Sequence, residues 1–123
     1  MQCYGAAATD FLRTLIDGKE VRLVADTQST NTDKFDRLLR YVFLRDGTDV
    51  NAEIIKQGYG FAFVGFPLSR LDEFQGYETL ARLENRGLWD ECDPIYEDGH
   101  YESNDAASVE YIPSMQLHGR MWL

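Results

Sequence analysis

Apolar positions recur along this chain in short periodic runs broken by turn-forming residues. In residues 6–17, Ala8, Phe11, Leu12, Leu15 and Ile16 recur at i, i+3, i+4 spacing, which predicts a helix with one apolar face. Gly18 follows where a left-handed residue would stop it. Residues 20–25 alternate and predict a strand with Val21, Leu23 and Ala25 to one side. Residues 26–34 are polar and aperiodic, a loop. Residues 38–44 give the strongest strand signal. Leu39, Tyr41 and Phe43 face one way, Leu38, Val42 and Leu44 the other, with Arg40 as the interruption. Asp46-Gly47 predicts a hairpin-type turn. Asn51 is placed to cap a short helix running to Lys56, with Val50, Ile54 and Ile55 inward and Gly58 as its stop. Residues 59–66 are aromatic and glycine-rich, an extended segment ending at Pro67. Residues 68–85 predict a last helix striped by Leu71, Phe74, Tyr77 and Ala81, in which Gly76 costs about 1 kcal/mol relative to alanine.

The order is therefore helix, strand, strand, helix, partial strand, helix. Two strands and part of a third cannot close a barrel, and they leave sheet edges open. This predicts an α+β domain that is incomplete by itself or is completed by another polypeptide covering the open sheet. Residues 93–123 have no period and hold six acids against one base, so they read as an extended acidic tail following a domain over 1–92. The end of that tail (Tyr111, Ile112, Met115, Leu117, Met121, Trp122, Leu123) is apolar enough to dock on a partner surface.

Charge narrows the function classes. A net charge of −9 over 123 residues is the wrong sign for a broad basic nucleic-acid surface. A locally basic cleft in an acidic enzyme remains open. No apolar run approaches the length of a membrane span. Cys3 and Cys92 are too few for a disulfide scaffold and have no zinc spacing, which leaves two buried thiols or one bridge. Ser108, His100 and Asp105 lie in the tail without a scaffold to make a triad. His100 and His118 with the two cysteines match no metal pattern, and Glu97-Asp98-Gly99 lacks the alternating oxygen ligands of a calcium loop.

Five motifs in order carry a resemblance. They are Cys3-Tyr4-Gly5 before a helix, D-K-F-D-R-L-L-R-Y-V over 33–42, D-G-x-x-V-N over 46–51, K-Q-G-Y over 56–59, and Glu78-x-x-Ala81-Arg82 ahead of Arg86-Gly87-Leu88-Trp89. Together they resemble the staphylococcal-nuclease-like (thermonuclease) domains, over residues 3–92. The resemblance implies a partial OB-type β-barrel with three helices, represented by its later part and lacking its first three strands. It also implies cleavage of DNA and RNA phosphodiesters with a calcium ion. In such domains carboxylates hold the metal, a glutamate assists an attacking water, and two arginines stabilise charge on the phosphate. On that template Arg37 matches the second arginine and is the one catalytic residue with a counterpart. Lys34 matches a neighbouring phosphate contact. Phe63 and Phe66 replace tyrosines that stack on a base, and Phe35 stands where a phosphate-touching tyrosine is common. Glu78 matches a buried glutamate expected to pair with Lys56 or another cation. Cysteines at both ends of related domains imply a Cys3–Cys92 bridge, which would favour an oxidising compartment.

Arg37 has a second reading, a solvated arginine paired with Asp33 or Asp36, and this is preferred because the other site residues have no match in the chain. The expectation is accordingly a non-catalytic nuclease-like interaction module, a subunit or adaptor inactive as this chain alone, with no cofactor of its own. The alternative is the C-terminal portion of a calcium-dependent nuclease, completed by an N-terminal segment or a partner chain that supplies the metal-holding carboxylates. Single-stranded nucleic-acid binding without cleavage is disfavoured by the net charge.

Overall fold

The computed structural model describes residues 3–33, 35–62 and 69–103, together with two short backbone strands at 116–117 and 121–122. In chain order the elements are α1 (Gly5–Ile16), β1 (Val21–Ala25), β2 (Leu38–Leu44), α2 (Val50–Lys56), α3 (Leu71–Leu83), α4 (Leu88–Glu91), β3 (Ile95–Glu97), β4 (His100–Glu102), β5 (Gln116–Leu117) and β6 (Met121–Trp122).

β2 organises the core because both of its faces are covered. Val42 and Leu44 pack with Leu12 of α1 and with Val50 and Ile54 of α2. Tyr41, from the opposite face, packs with Ala52 and Ile55 of α2, with Ala62 of the segment after it, and with Phe74 of α3. A strand buried on two sides reads as a continuous apolar run, which is why its bounds are visible in the sequence. α2 lies between the two clusters and contributes to both. β1 departs from expectation. Leu23 is 42% exposed and Ala25 is exposed, whereas Val21 and Val24 are the residues that reach the two clusters.

The sheet runs β1-β2-β6-β5. β1 is antiparallel to β2 from Val21↔Leu44 to Ala25↔Arg40. β6 is parallel to β2, with Leu38↔Met121 and Leu39↔Trp122, and antiparallel to β5. At Leu38 and Leu39, the edge of β2 that was expected to await another polypeptide is paired by this chain. Beyond β6, Val42 N–H donates to Asn51 Oδ1 at 2.7 Å and Leu44 N–H to Thr48 O at 2.9 Å. β1 ends the sheet on its other side. Among the described residues no barrel closes, and residues 59–62 form no strand.

Two further boundaries differ from the sequence reading. Asp49, not Asn51, caps α2: its Oδ1 accepts from Ala52 N–H at 3.0 Å, because Asn51 lies inside the helix and spends its side chain on Val42. The turn at Asp46-Gly47 leads into α2 as expected, with an antiparallel bridge between Phe43 and Asp49 across it. A fourth helix, the single turn α4, follows α3.

The segment expected as extended tail begins with an ordered hairpin. β3 and β4 pair antiparallel, Ile95↔Glu102 to Glu97↔His100, around Asp98 and Gly99. Both turn residues have positive φ, 50° and 84°, the requirement of the tightest two-residue hairpin loop. The hairpin sits on the domain through rings. Tyr101 meets the Trp89 edge at 5.0 Å, Tyr96 stacks on Tyr101 at 4.8 Å, and Trp89 meets Phe61 at 5.5 Å.

Candidate functional site

The loop leading into β2 is built around one carboxylate. Thr32 bridges to Leu38, Asp33 N–H donates to Arg37 O at 2.9 Å, and Asp36 adopts a left-handed φ of 62° to close the turn. Inside this turn Asp33 Oδ1 accepts from the Phe35 amide at 2.8 Å and the Arg37 amide at 3.0 Å, while its Oδ2 accepts from Arg37 Nε at 2.6 Å. Burial pushes the Asp33 carboxyl up, but the Arg37 and Phe35 amides and the Arg37 guanidinium outweigh it and hold it below its ordinary value. The guanidinium also lies 4.9 Å from the centre of the Phe35 ring. That ring is 53% exposed. The loop thus presents an aromatic face backed by a cation.

Arg37 is not the solvated arginine of the preferred sequence reading. It is 5% exposed, and its ion pair is with Asp33. Lys34, Phe63 and Phe66 lie outside the described residues. Phe35, treated from the sequence as a lost hydroxyl, is the exposed aromatic of the loop.

Glu78 does not take Lys56 as its partner. Its Oε2 accepts from the Ala62 amide at 2.8 Å, and Lys56 Nζ lies instead over the Tyr77 ring at 4.4 Å. A disulfide joins Cys3, before α1, to Cys92, after α4.

A second polar network holds α3 against the sheet, and the sequence reading missed it. Asp26 accepts from the Tyr41 hydroxyl, from Gln28 N–H at 2.8 Å, and from the Ser69 amide and hydroxyl at 2.8 and 2.9 Å. Burial raises its carboxyl, yet these four donors bring it down to about 2. Burial and the same carboxylate push Tyr41 up to about 12. Arg70 lies over Tyr41 and Phe74, with its guanidinium 5.0 and 4.7 Å from the ring centres, and pairs with Asp49 and Glu73. Hydrogen bonding to Glu73 is the main cause that raises Arg70, and the reciprocal bond brings Glu73 down to about 2. These residues join β1, β2, α2 and α3, a structural task.

A family model described as "Staphylococcal nuclease homologue" matches residues 1–91. The chain belongs to this family. The match starts at residue 1 and gives no support to a reading as the later part alone. The homologue is 28% identical over 97 residues to "Endonuclease YhcR" of Bacillus subtilis, covering 76% of this chain and 8% of that protein. It is 38% identical over 109 residues to an uncharacterized protein of Bacillus anthracis, covering 86% of this chain and 50% of that one. It is 28% identical over 94 residues to an "Uncharacterized endonuclease" of Escherichia coli, covering 76% of this chain and 58% of that protein. The chain spans little more than half the length of the curated relatives it matches, or less.

The staphylococcal nuclease family is generally calcium-dependent, and calcium takes six to eight oxygen ligands. Among the described residues no three of Asp, Glu, His and Cys converge on one point. Asp26 and Asp33 each have their oxygens committed to protein donors. The described residues of this nuclease homologue do not fit the ion, and none is given a metal-holding role. No described helix is long and apolar enough to cross a membrane.

Proposed function

We propose that this chain serves an endonuclease, contributing the contact with a nucleic-acid strand at the loop over residues 32–38. The observation that carries the reading is one arrangement in a nuclease homologue: Phe35 is exposed, the Arg37 guanidinium stacks on it, and Asp33 fixes both through three hydrogen bonds. An exposed ring offers a face to any base, and base stacking on aromatics is worth about 1–3 kcal/mol. A guanidinium behind it supplies donors to the phosphate that follows the base. Because Arg37 is deeply set, phosphate approaches at the rim of the guanidinium, and Asp33 keeps that rim in place. Relatives named endonucleases favour this reading over the non-catalytic adaptor. Their greater length makes the hydrolytic step a proposal for the whole protein rather than for these residues.

The test is binding of a short fluorescent single-stranded DNA oligomer, followed by anisotropy at two salt concentrations. Phe35→Ala and Arg37→Ala are each expected to weaken binding about tenfold or more, with Arg37→Ala also reducing the salt dependence. Unchanged affinity in both variants, with the fold intact, would refute the proposal.

A further inference from the structure

A carboxyl is buried next to the β3–β4 hairpin without a matched partner. Glu78 of α3 is 7% exposed, and among the described residues the Ala62 amide is the one hydrogen-bond donor to it, at 2.8 Å. The charged groups that face it come from two elements, Arg82 from α3 itself and His100 from β4. The Arg82 guanidinium lies over the Tyr101 ring of β4 at 5.6 Å. Arg82 Nε and Trp89 Nε1 are buried and take no hydrogen bond among the described residues. His100 Nε2 lies 3.5 Å from Glu102 Oε2 on the same strand. Lys56 of α2 is held over Tyr77.

An ionised carboxylate in such a place gives up water and receives one amide in return. The charged form is disfavoured unless cations approach or water is readmitted. Burial is the dominant influence and pushes this carboxyl up to about 7, the Ala62 amide, Arg82 and His100 offsetting only part of it. Tyr101 of the hairpin meets Trp89 and lies under Arg82, which is one turn from Glu78 on α3, so loosening the hairpin is a route by which water reaches the carboxyl.

We propose that Glu78 is a proton-operated latch on the β3–β4 hairpin: neutral, it lets the hairpin seat on α3 and α4; ionised, it loosens that seat. The latch is independent of the nucleic-acid reading.

The experiment follows Trp89 fluorescence against pH in a Trp122→Phe background, with hydrogen exchange of the Tyr96 and Tyr101 amides, corrected for intrinsic rates, as a second readout. A transition between the ordinary carboxyl value of 4.5 and the closed-state value of about 7 is expected in this background. Glu78→Gln, which keeps an acceptor for Ala62 N–H, is expected to flatten it. The same transition persisting in Glu78→Gln, or vanishing only in His100→Asn, would overturn the proposal. Should Glu78→Gln fail to fold, carbon-13 titration of the glutamate carboxyls in the unaltered protein decides. One glutamate titrating above its ordinary 4.5 with the same midpoint as the Tyr101 amide exchange supports the latch, and none doing so overturns it.

Discussion

Gly58 and Gly87 pass each other with no room for a side chain at either. A Cβ on Gly58 would stand 2.2 Å from Arg86 O, and one on Gly87 would stand 2.3 Å from Gly58 O. The contact is sealed by Leu88 N–H donating to Gly58 O at 2.8 Å, which ties the end of α2 to the start of α4. Alanine at either position is expected to cost more than the roughly 1–2 kcal/mol of left-handed backbone strain alone, because backbone must also move. Gly18→Ala is the control. Its φ is 71° but a Cβ there meets nothing within 4 Å, so it should cost only the strain. Urea unfolding of the three variants ranks them.

Asn51 gives a second test. Its side chain satisfies the buried Val42 amide from within α2, so Asn51→Ala strands that amide. A loss of about 1–3 kcal/mol is expected. Asp49→Ala, which removes the cap, should cost about 1 kcal/mol.

Stability should peak on the acid side of neutrality. Asp26 and Glu73 have folded-state values of about 2, below their ordinary 3.8 and 4.5, so their contribution is present above those ordinary values and lost as pH falls toward 2. Glu78 has the opposite sign. Its folded-state value of about 7 exceeds its ordinary 4.5, so stability is complete below 4.5 and declines as pH rises to 7. The decline is on the order of 3 kcal/mol. Denaturant midpoints across pH should therefore show a maximum between about pH 4 and 5. Glu78→Gln should remove the fall on the neutral side and leave the acid side unchanged.

The Cys3–Cys92 bond spans a sequence separation of 89 residues and joins the start of α1 to the chain after α4. Closing so long a loop restricts the unfolded chain, and its loss is expected to lower stability by about 2–4 kcal/mol. Thermal melts with and without reductant, compared with Cys92→Ser, measure it. A reductant effect absent from Cys92→Ser assigns the loss to this bond.

Much of the fold was legible where burial imposes a pattern. β2 stands out because two apolar clusters meet on it, and α1 because a single face is buried. What escaped was decided between distant residues. Asp49 and Asn51 are both good caps by type, and only the position of the Val42 amide assigns them different tasks. The β3–β4 hairpin carries a visible signal, Asp98-Gly99 between Tyr96 and Tyr101, but the acidic surroundings obscured it. At the candidate site the motif pointed to Arg37. That the arginine is buried against Asp33, and that Phe35 rather than Arg37 is the exposed group, follows from loop closure and has no periodic signature.

The central claim is the proposed one, that the loop around Phe35 and Arg37 holds the nucleic-acid strand for an endonuclease. Its most direct test is the rate at which the protein, in its full-length form and in calcium-containing buffer, cleaves a 5′-labelled single-stranded DNA. The account predicts cleavage, slowed about tenfold or more at sub-saturating DNA by Arg37→Ala in a variant that melts cooperatively. Cleavage at an unchanged rate in that variant, or no cleavage by the full-length protein, would contradict it.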